Sequence, residues 1–219
     1  MFTNYCIDGN QFLYICSSEV VMKRYVRYIS RLLEPEPKHT SVIMLGDSLI
    51  RLGNWNKLVG RKDILNRGVS GDSLEGIFQR AQALPTSTAK IIFLEGGIND
   101  LPHRDSKHLL AGYQNLISYW QSSHVIPVIT SLLYLSPRAA HSYTWRSDWQ
   151  GINTRVARLN DQLQQVCAHQ SLDFLDLNRH LSIPDQLRPE YTTDGVHLTD
   201  TAYAIWAEKV RRILNKHHI

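Results

Sequence analysis

From residue 42 onward, short apolar runs rich in β-formers alternate with longer segments of helical period. The runs cover residues 42–45, 64–66, 90–95, 125–130 and 172–177. Between them, apolar residues recur three and four positions apart, as in Leu74, Ile77, Phe78 and Ala81, or Val156, Leu159 and Leu163. A strand, a crossover helix and a second strand in one sheet close as a parallel, right-handed unit. Five such strands predict a three-layer α/β/α sandwich built on one parallel sheet. Pro127 cannot donate to a ladder, which places it at the start or edge of one.

The chain has 219 residues, 43% of them hydrophobic, which suits one compact domain with a sizeable core. Residues 41–219 form that predicted domain. Residues 1–40 read as an added N-terminal arm, a candidate element for homodimer formation. Residues 1–17 show no clear period, and residues 18–33 have helical spacing ended by Pro35 and Pro37. No apolar run approaches the ~20 residues of a membrane span, and no signal-like start is evident, so stable membrane insertion is not expected and the default location is cytoplasmic. Cys6, Cys16 and Cys167 are scattered and odd in number, matching neither a disulfide framework nor a zinc spacing. The net charge of +4 is dispersed without a Lys/Arg block, so a nucleic-acid partner is not expected.

In open parallel sheets, ligands sit beyond the carboxyl ends of the strands. The polar residues there are Gly46-Asp47-Ser48, Asn66 to Asp72, Gly96-Gly97-Ile98-Asn99-Asp100, and Thr193-Asp194-Gly195-Val196-His197 before the last helix. Together they offer a hydroxyl, an imidazole, a carboxylate, an amide and two glycine-lined turns. That set suffices for acyl transfer. A serine needs a base to remove its proton, and neutral imidazole is the usual one. A carboxylate fixes the imidazole tautomer, and donors aimed at the oxyanion lower the barrier.

Each signal is weak alone. Gly-Asp-Ser-Leu occurs at Gly46 and again at Gly71, and either serine could simply cap a helix. Asn99 could cap a turn, and Asp100 could bond nearby N–H groups. The four blocks in this order are more specific. They resemble the SGNH or GDSL-type hydrolases: Gly46-Asp-Ser48-Leu, Asn66-Arg-Gly-Val-Ser-Gly71-Asp, Gly97-Ile-Asn99-Asp100 and Asp194-Gly-Val-His197-Leu. The sequence looks closest to the compact branch related to platelet-activating-factor acetylhydrolase catalytic subunits and to lysophospholipase/thioesterase-like members.

The resemblance implies a flavodoxin-like sheet and hydrolysis of small-molecule carboxylic esters without metal or cofactor. By motif, Ser48 would be the nucleophile, His197 the base, and Asp194 the residue orienting it. The backbone N–H groups of Ser48 and Gly71 and the Asn99 amide would form the oxyanion hole, with Gly71 placed where a Cβ could crowd the oxyanion. Ser73 becomes a cap for the helix beginning at Leu74. The sharp Gly-x-Ser-x-Gly elbow of α/β-hydrolases is absent, since Ile50 stands where its last glycine would be.

Other residues carry smaller expectations. Asp47 holds the turn at Ser48. Asn66, Arg67 and Asp100 tie loops together, Arg67 also being a candidate contact for an anionic substrate. Asp72 bonds backbone donors beside the hole, and Thr199 caps the last helix. The irregular stretch 132–150 offers Tyr143, Trp145 and Trp149 as a substrate wall. A carbohydrate O-acetylesterase or an acyltransferase would use the same site. A non-catalytic binding module on this fold would lack a triad member, and all members are present.

Overall fold

A computed structural model of the chain describes residues 2–7, 11–16, 39–84, 88–143 and 146–219. The chain divides into two compact units, Met1–Pro35 and Glu36–Ile219. In the first, β1 (Phe2–Ile7) and β2 (Gln11–Cys16) pair antiparallel, from Ile7 opposite Gln11 to Phe2 opposite Cys16. The sequence reading found no period here. Its missed signal is Asp8-Gly9 between two runs rich in aromatic and branched residues, the composition of a hairpin. The helix expected over residues 18–33 lies outside the described residues, as do residues 34–38 of the expected linker.

The second unit holds a five-stranded sheet of β3 (Val42–Gly46), β4 (Ile64–Gly68), β5 (Ile91–Glu95), β6 (Ile126–Thr130) and β7 (Asp173–Leu175). All pairs are parallel, in the order β4-β3-β5-β6-β7. This is the flavodoxin-like order, and its direction of winding reverses between β3 and β5. The crevice therefore opens at the ends of those two strands. Pro127 pairs with Ile92 on one side, and pairing to β7 begins only at Val128. The proline thus sits at the start of an interior strand, where its missing N–H is harmless.

Strand side chains alternate between two cores. Ile43, Leu45, Ile92 and Leu94 face one, and Val42, Met44, Ile91 and Phe93 face the other. The second is covered by α1 (Ser48–Leu52) and α2 (Trp55–Val59), and by a C-terminal helix described below. The first is covered by α3 (Leu74–Ala81), α4 (Ser106–Ser122), and by α5 (Ala139–Ser142) and α6 (Trp149–His169). A one-turn helix α7 (Asn178–Leu181) precedes α8 (Asp200–Lys216), which lies on the second core. Trp206 of α8 is fully buried and meets Trp55 of α2 edge-on at 4.9 Å, and Tyr203 packs on both rings. Burying each such side chain contributes on the order of 1.5–3 kcal/mol, so α8 is fixed along its length.

Residues 132–150 are less irregular than expected. They include α5 and the start of α6, which begins at Trp149 because the Asp148 carboxylate accepts from Gly151 N at 3.1 Å. Thr199 occupies the cap position of α8, but its hydroxyl donates to Glu190 O at 3.4 Å instead of capping.

Candidate active site

β3 ends at Gly46, and the chain turns at once into α1. Asp47 caps that helix, its Oδ1 accepting from Leu49 N at 2.9 Å. Ser48 is therefore the first helical residue and not the cap. Its hydroxyl stands at the sheet edge, 3.0 Å from His197 Nε2. His197 Nδ1 lies 2.6 Å from Asp194 Oδ2. The other oxygen, Oδ1, accepts from Val196 N at 2.9 Å and His197 N at 2.8 Å. The short spacing of Asp194 and His197 thus lets one carboxylate hold both the backbone and the ring of the histidine.

Two neighbours set this loop. Thr192 donates to His197 O at 2.8 Å and accepts from Gly195 N at 2.8 Å. Gly195 has φ +94°, and a Cβ there would stand 2.1 Å from Ala139 N, so only glycine lets the loop lie against α5. Tyr143, just past α5, donates its hydroxyl to Asp194 Oδ2 at 2.8 Å. Burial pushes the Asp194 carboxyl up, but the bonds from His197, Val196 and Tyr143 outweigh it and hold it at about 2. Burial and the bond to Asp194 push the Tyr143 phenol up to about 12.

The opposite rim carries Gly71 and Asn99. Gly71 has φ +73°, and no heavy atom lies within 4 Å of where its Cβ would be. The left-handed backbone, more than crowding by protein atoms, is what demands glycine there. Asn99 Nδ2 donates to Asp72 O at 3.0 Å and Asp47 Oδ2 at 3.3 Å. Asn99 Oδ1 accepts from Arg146 Nη2 at 3.1 Å. Ser73 caps α3, accepting from Gly76 N at 3.2 Å, as expected for the second Gly-Asp-Ser-Leu.

The supporting loops are tied as expected, with corrections. Asn66 Nδ2 donates to the carbonyls of Ile50, Arg51 and Gly53, and Asp100 Oδ2 accepts from Leu74 N at 2.9 Å. Asp72 accepts from Ser73 N at 3.0 Å and pairs with Arg80 at 2.7 Å. Arg67 is buried at 5% exposure and donates to Asn66 O at 3.4 Å. Trp149 opens α6 and packs half-buried on the core. Tyr143 reaches the triad carboxylate, and Trp145 lies outside the described residues.

Three site residues escaped the sequence reading. Arg80 donates to Gly46 O and Arg67 O, the ends of β3 and β4, besides binding Asp72. Glu95 ends β5 with its carboxyl fully buried beside Asp47. Among the described residues its oxygens meet no N–H or hydroxyl donor, and it can bond the neighbouring Asp47 carboxyl only when one of the two carries a proton. Burial, then the Asp47 charge, push Glu95 well above the usual carboxylate range. Burial likewise raises Asp47 to about 6, against the pull of Leu49 N and the Arg146 charge. Arg146 is the third, with 2% exposure. A charged residue closing a buried strand was a visible signal for Glu95; nothing in the sequence pointed to the other two.

Among the described residues, no group of three or more His, Cys, Asp or Glu side chains is placed to hold a metal ion. Among the described helices, none is long and apolar enough to cross a membrane.

The GDSL-like Lipase/Acylhydrolase family model matches residues 44–205. An N-acylneuraminate cytidylyltransferase from Streptococcus agalactiae serotype III is 24% identical over 200 residues. That match takes in 86% of this chain but 43% of the relative, so the chain spans less than half the length of that protein. Among solved structures, a GDSL-like lipase from Bacteroides thetaiotaomicron shares the fold at a TM-score of 0.73 and 18% identity, covering 89% of this chain and 97% of that one. An acetyl xylan esterase, AlAXEase, shares it at a TM-score of 0.62 and 19% identity, covering 80% and 99%.

Proposed function

The chain belongs to the GDSL-like lipase/acylhydrolase family, and we propose that it is a serine esterase that cleaves carboxylic esters through an acyl-enzyme. The observation that carries this reading is the continuous line from Ser48 Oγ through His197 to Asp194, with separations of 3.0 and 2.6 Å. Ser48 Oγ attacks the ester carbonyl carbon as His197 Nε2 takes its proton. The oxyanion is met by the N–H groups of Ser48 and Gly71 and by Asn99 Nδ2, which gives up its longer bond, to Asp47 Oδ2 at 3.3 Å, to reach it. When the intermediate collapses, the C–O bond to the alcohol breaks and His197 gives that alcohol its proton. Water then attacks the acyl-serine, passing a proton through His197 back to Ser48. Asp194, already ionised, stabilises the imidazolium at each stage.

The test is release of p-nitrophenol from p-nitrophenyl esters of increasing acyl length. Ser48→Ala and His197→Ala are expected to lose roughly 10⁴–10⁶ in kcat, as in serine hydrolases generally. Wild-type turnover in either pure variant contradicts the reading.

A second reading gives the same site a carbohydrate O-acetyl ester as substrate. The fold likeness to an acetyl xylan esterase and the match to part of a protein named for N-acylneuraminate favour it. A panel of acetylated sugars against lipid-like esters separates the two by their kcat/KM. Transfer to a sugar or alcohol acceptor in place of water would appear there as an acylated acceptor.

A further inference from the structure

We propose that Arg146 is a positioning residue for the oxyanion donor, fixing the Asn99 amide with its NH2 group toward the nucleophile loops and polarising it. The proposal rests on the serine-esterase reading. A primary amide has two ends of similar size, so its partners decide which end faces a site. Arginine only donates, and Arg146 Nη2 meets Asn99 Oδ1 at 3.1 Å. The other end meets two acceptors, Asp72 O and Asp47 Oδ2, on the loops that carry Gly71 and Ser48. A flipped amide would set NH2 against guanidinium and oxygen against two oxygens. Arg146 thus joins those two acceptors in making the productive orientation the stable one.

Its charge adds to this. A bond from a cationic donor to an amide oxygen draws electron density from the amide nitrogen, and its N–H groups become better donors. The gain is greatest where negative charge appears, on the oxyanion of the transition state, so it belongs to kcat more than to KM.

The position is costly for a cation. Arg146 is 2% exposed, and burial pulls its guanidinium down to about 10, with the Asp47 charge leading the opposition. It stays protonated at neutral pH. Asp47 and Arg146 are both buried, and the Asp47 charge opposes loss of the Arg146 proton. Solvation of a surface arginine would give none of this, which is why a buried one is informative.

A double-mutant cycle tests the proposal, reading kcat and KM on p-nitrophenyl acetate for wild type, Arg146→Met, Asn99→Ala and the double variant. Arg146→Met is expected to lower kcat about tenfold with KM little changed, and to lower it less than about twofold once Asn99 is alanine. An equal loss in both backgrounds overturns the proposal, because a purely structural arginine would act whether or not the amide is there. Unchanged kcat in Arg146→Met overturns it as well. Should Arg146→Met not fold, the same cycle with Arg146→Lys decides, since its loss must also disappear in the Asn99→Ala background. A wild-type protein inactive on every ester overturns the esterase reading itself, and this proposal with it.

Discussion

The hydroxyl of Tyr143 donates to Asp194 Oδ2 at 2.8 Å, the same oxygen that lies 2.6 Å from His197 Nδ1. A residue that the sequence offered as substrate wall is thus part of the frame that keeps the carboxylate ionised.

Tyr143→Phe removes one of the bonds that lower the Asp194 pKa from 3.8 to about 2. A depressed carboxylate contributes stability that is present above its unfolded pKa and lost as pH falls through the folded one. Tyr143→Phe is therefore expected to be less stable than wild type by roughly 1–2 kcal/mol at pH 7, with the gap closing between about pH 4 and pH 2. Denaturant unfolding at a series of pH values measures it. A gap independent of pH contradicts the assignment.

Arg80 and Asp72 form an ion pair at 2.7 Å, with side chains 6% and 7% exposed. Removing one partner of a buried pair leaves the other charged and unsatisfied. Arg80→Met is expected to cost about 3–5 kcal/mol, and the carbonyls of Gly46 and Arg67 each lose a donor. Urea unfolding checks it; a loss below about 1 kcal/mol, the range of exposed pairs, contradicts it.

Glu95 gives a pH effect of opposite sign. Its folded pKa is raised well above 4.5, so above that pH the folded state binds a proton that the unfolded state has lost. Stability from this group falls as pH rises. Glu95→Gln keeps the neutral shape without the proton linkage. The melting temperature of the variant minus that of wild type is expected to grow with pH above about 4.5. Parallel melting curves across the range contradict a neutral buried acid.

The sheet and the residues of the candidate site were legible in the sequence for one reason. Strands such as 42–46 and 91–95 are apolar runs that end abruptly on polar residues, and those ends are where a parallel sheet collects its ligands. Ser48, Asn99, Asp194 and His197 each follow such a break or precede a helix. The supporting residues were not legible, because their meaning lies in partners far along the chain. Arg80 reads as one more charge on an amphipathic helix until Asp72 and the ends of β3 and β4 appear beside it. Arg146 meets Asn99 across 47 positions, in a stretch whose course no periodicity describes. The β1–β2 pair, by contrast, has a local signal, Asp8-Gly9 between two runs rich in aromatic and branched residues.

Asp194→Asn preserves shape but offers an amide where His197 Nδ1 meets a carboxylate at 2.6 Å. The imidazole then loses both its tautomer control and its counter-charge. By the precedent of serine proteases, kcat is expected to fall by up to about 10⁴, with KM changed far less. Near-wild-type kcat on p-nitrophenyl acetate contradicts the role given to Asp194.

The central claim is that Ser48 is the nucleophile, and the chain offers its own rival in Ser73, which stands in an identical tetrapeptide. Ser48 Oγ has a base at 3.0 Å, whereas Ser73 Oγ is engaged by Gly76 N as a helix cap. Peptide mapping after reaction with a fluorophosphonate tests this most directly. The account predicts an adduct on Ser48, none on Ser73, and no labelling of the Ser48→Ala variant. Labelling of Ser73, or an unlabelled Ser48 in a protein that still cleaves esters, contradicts it.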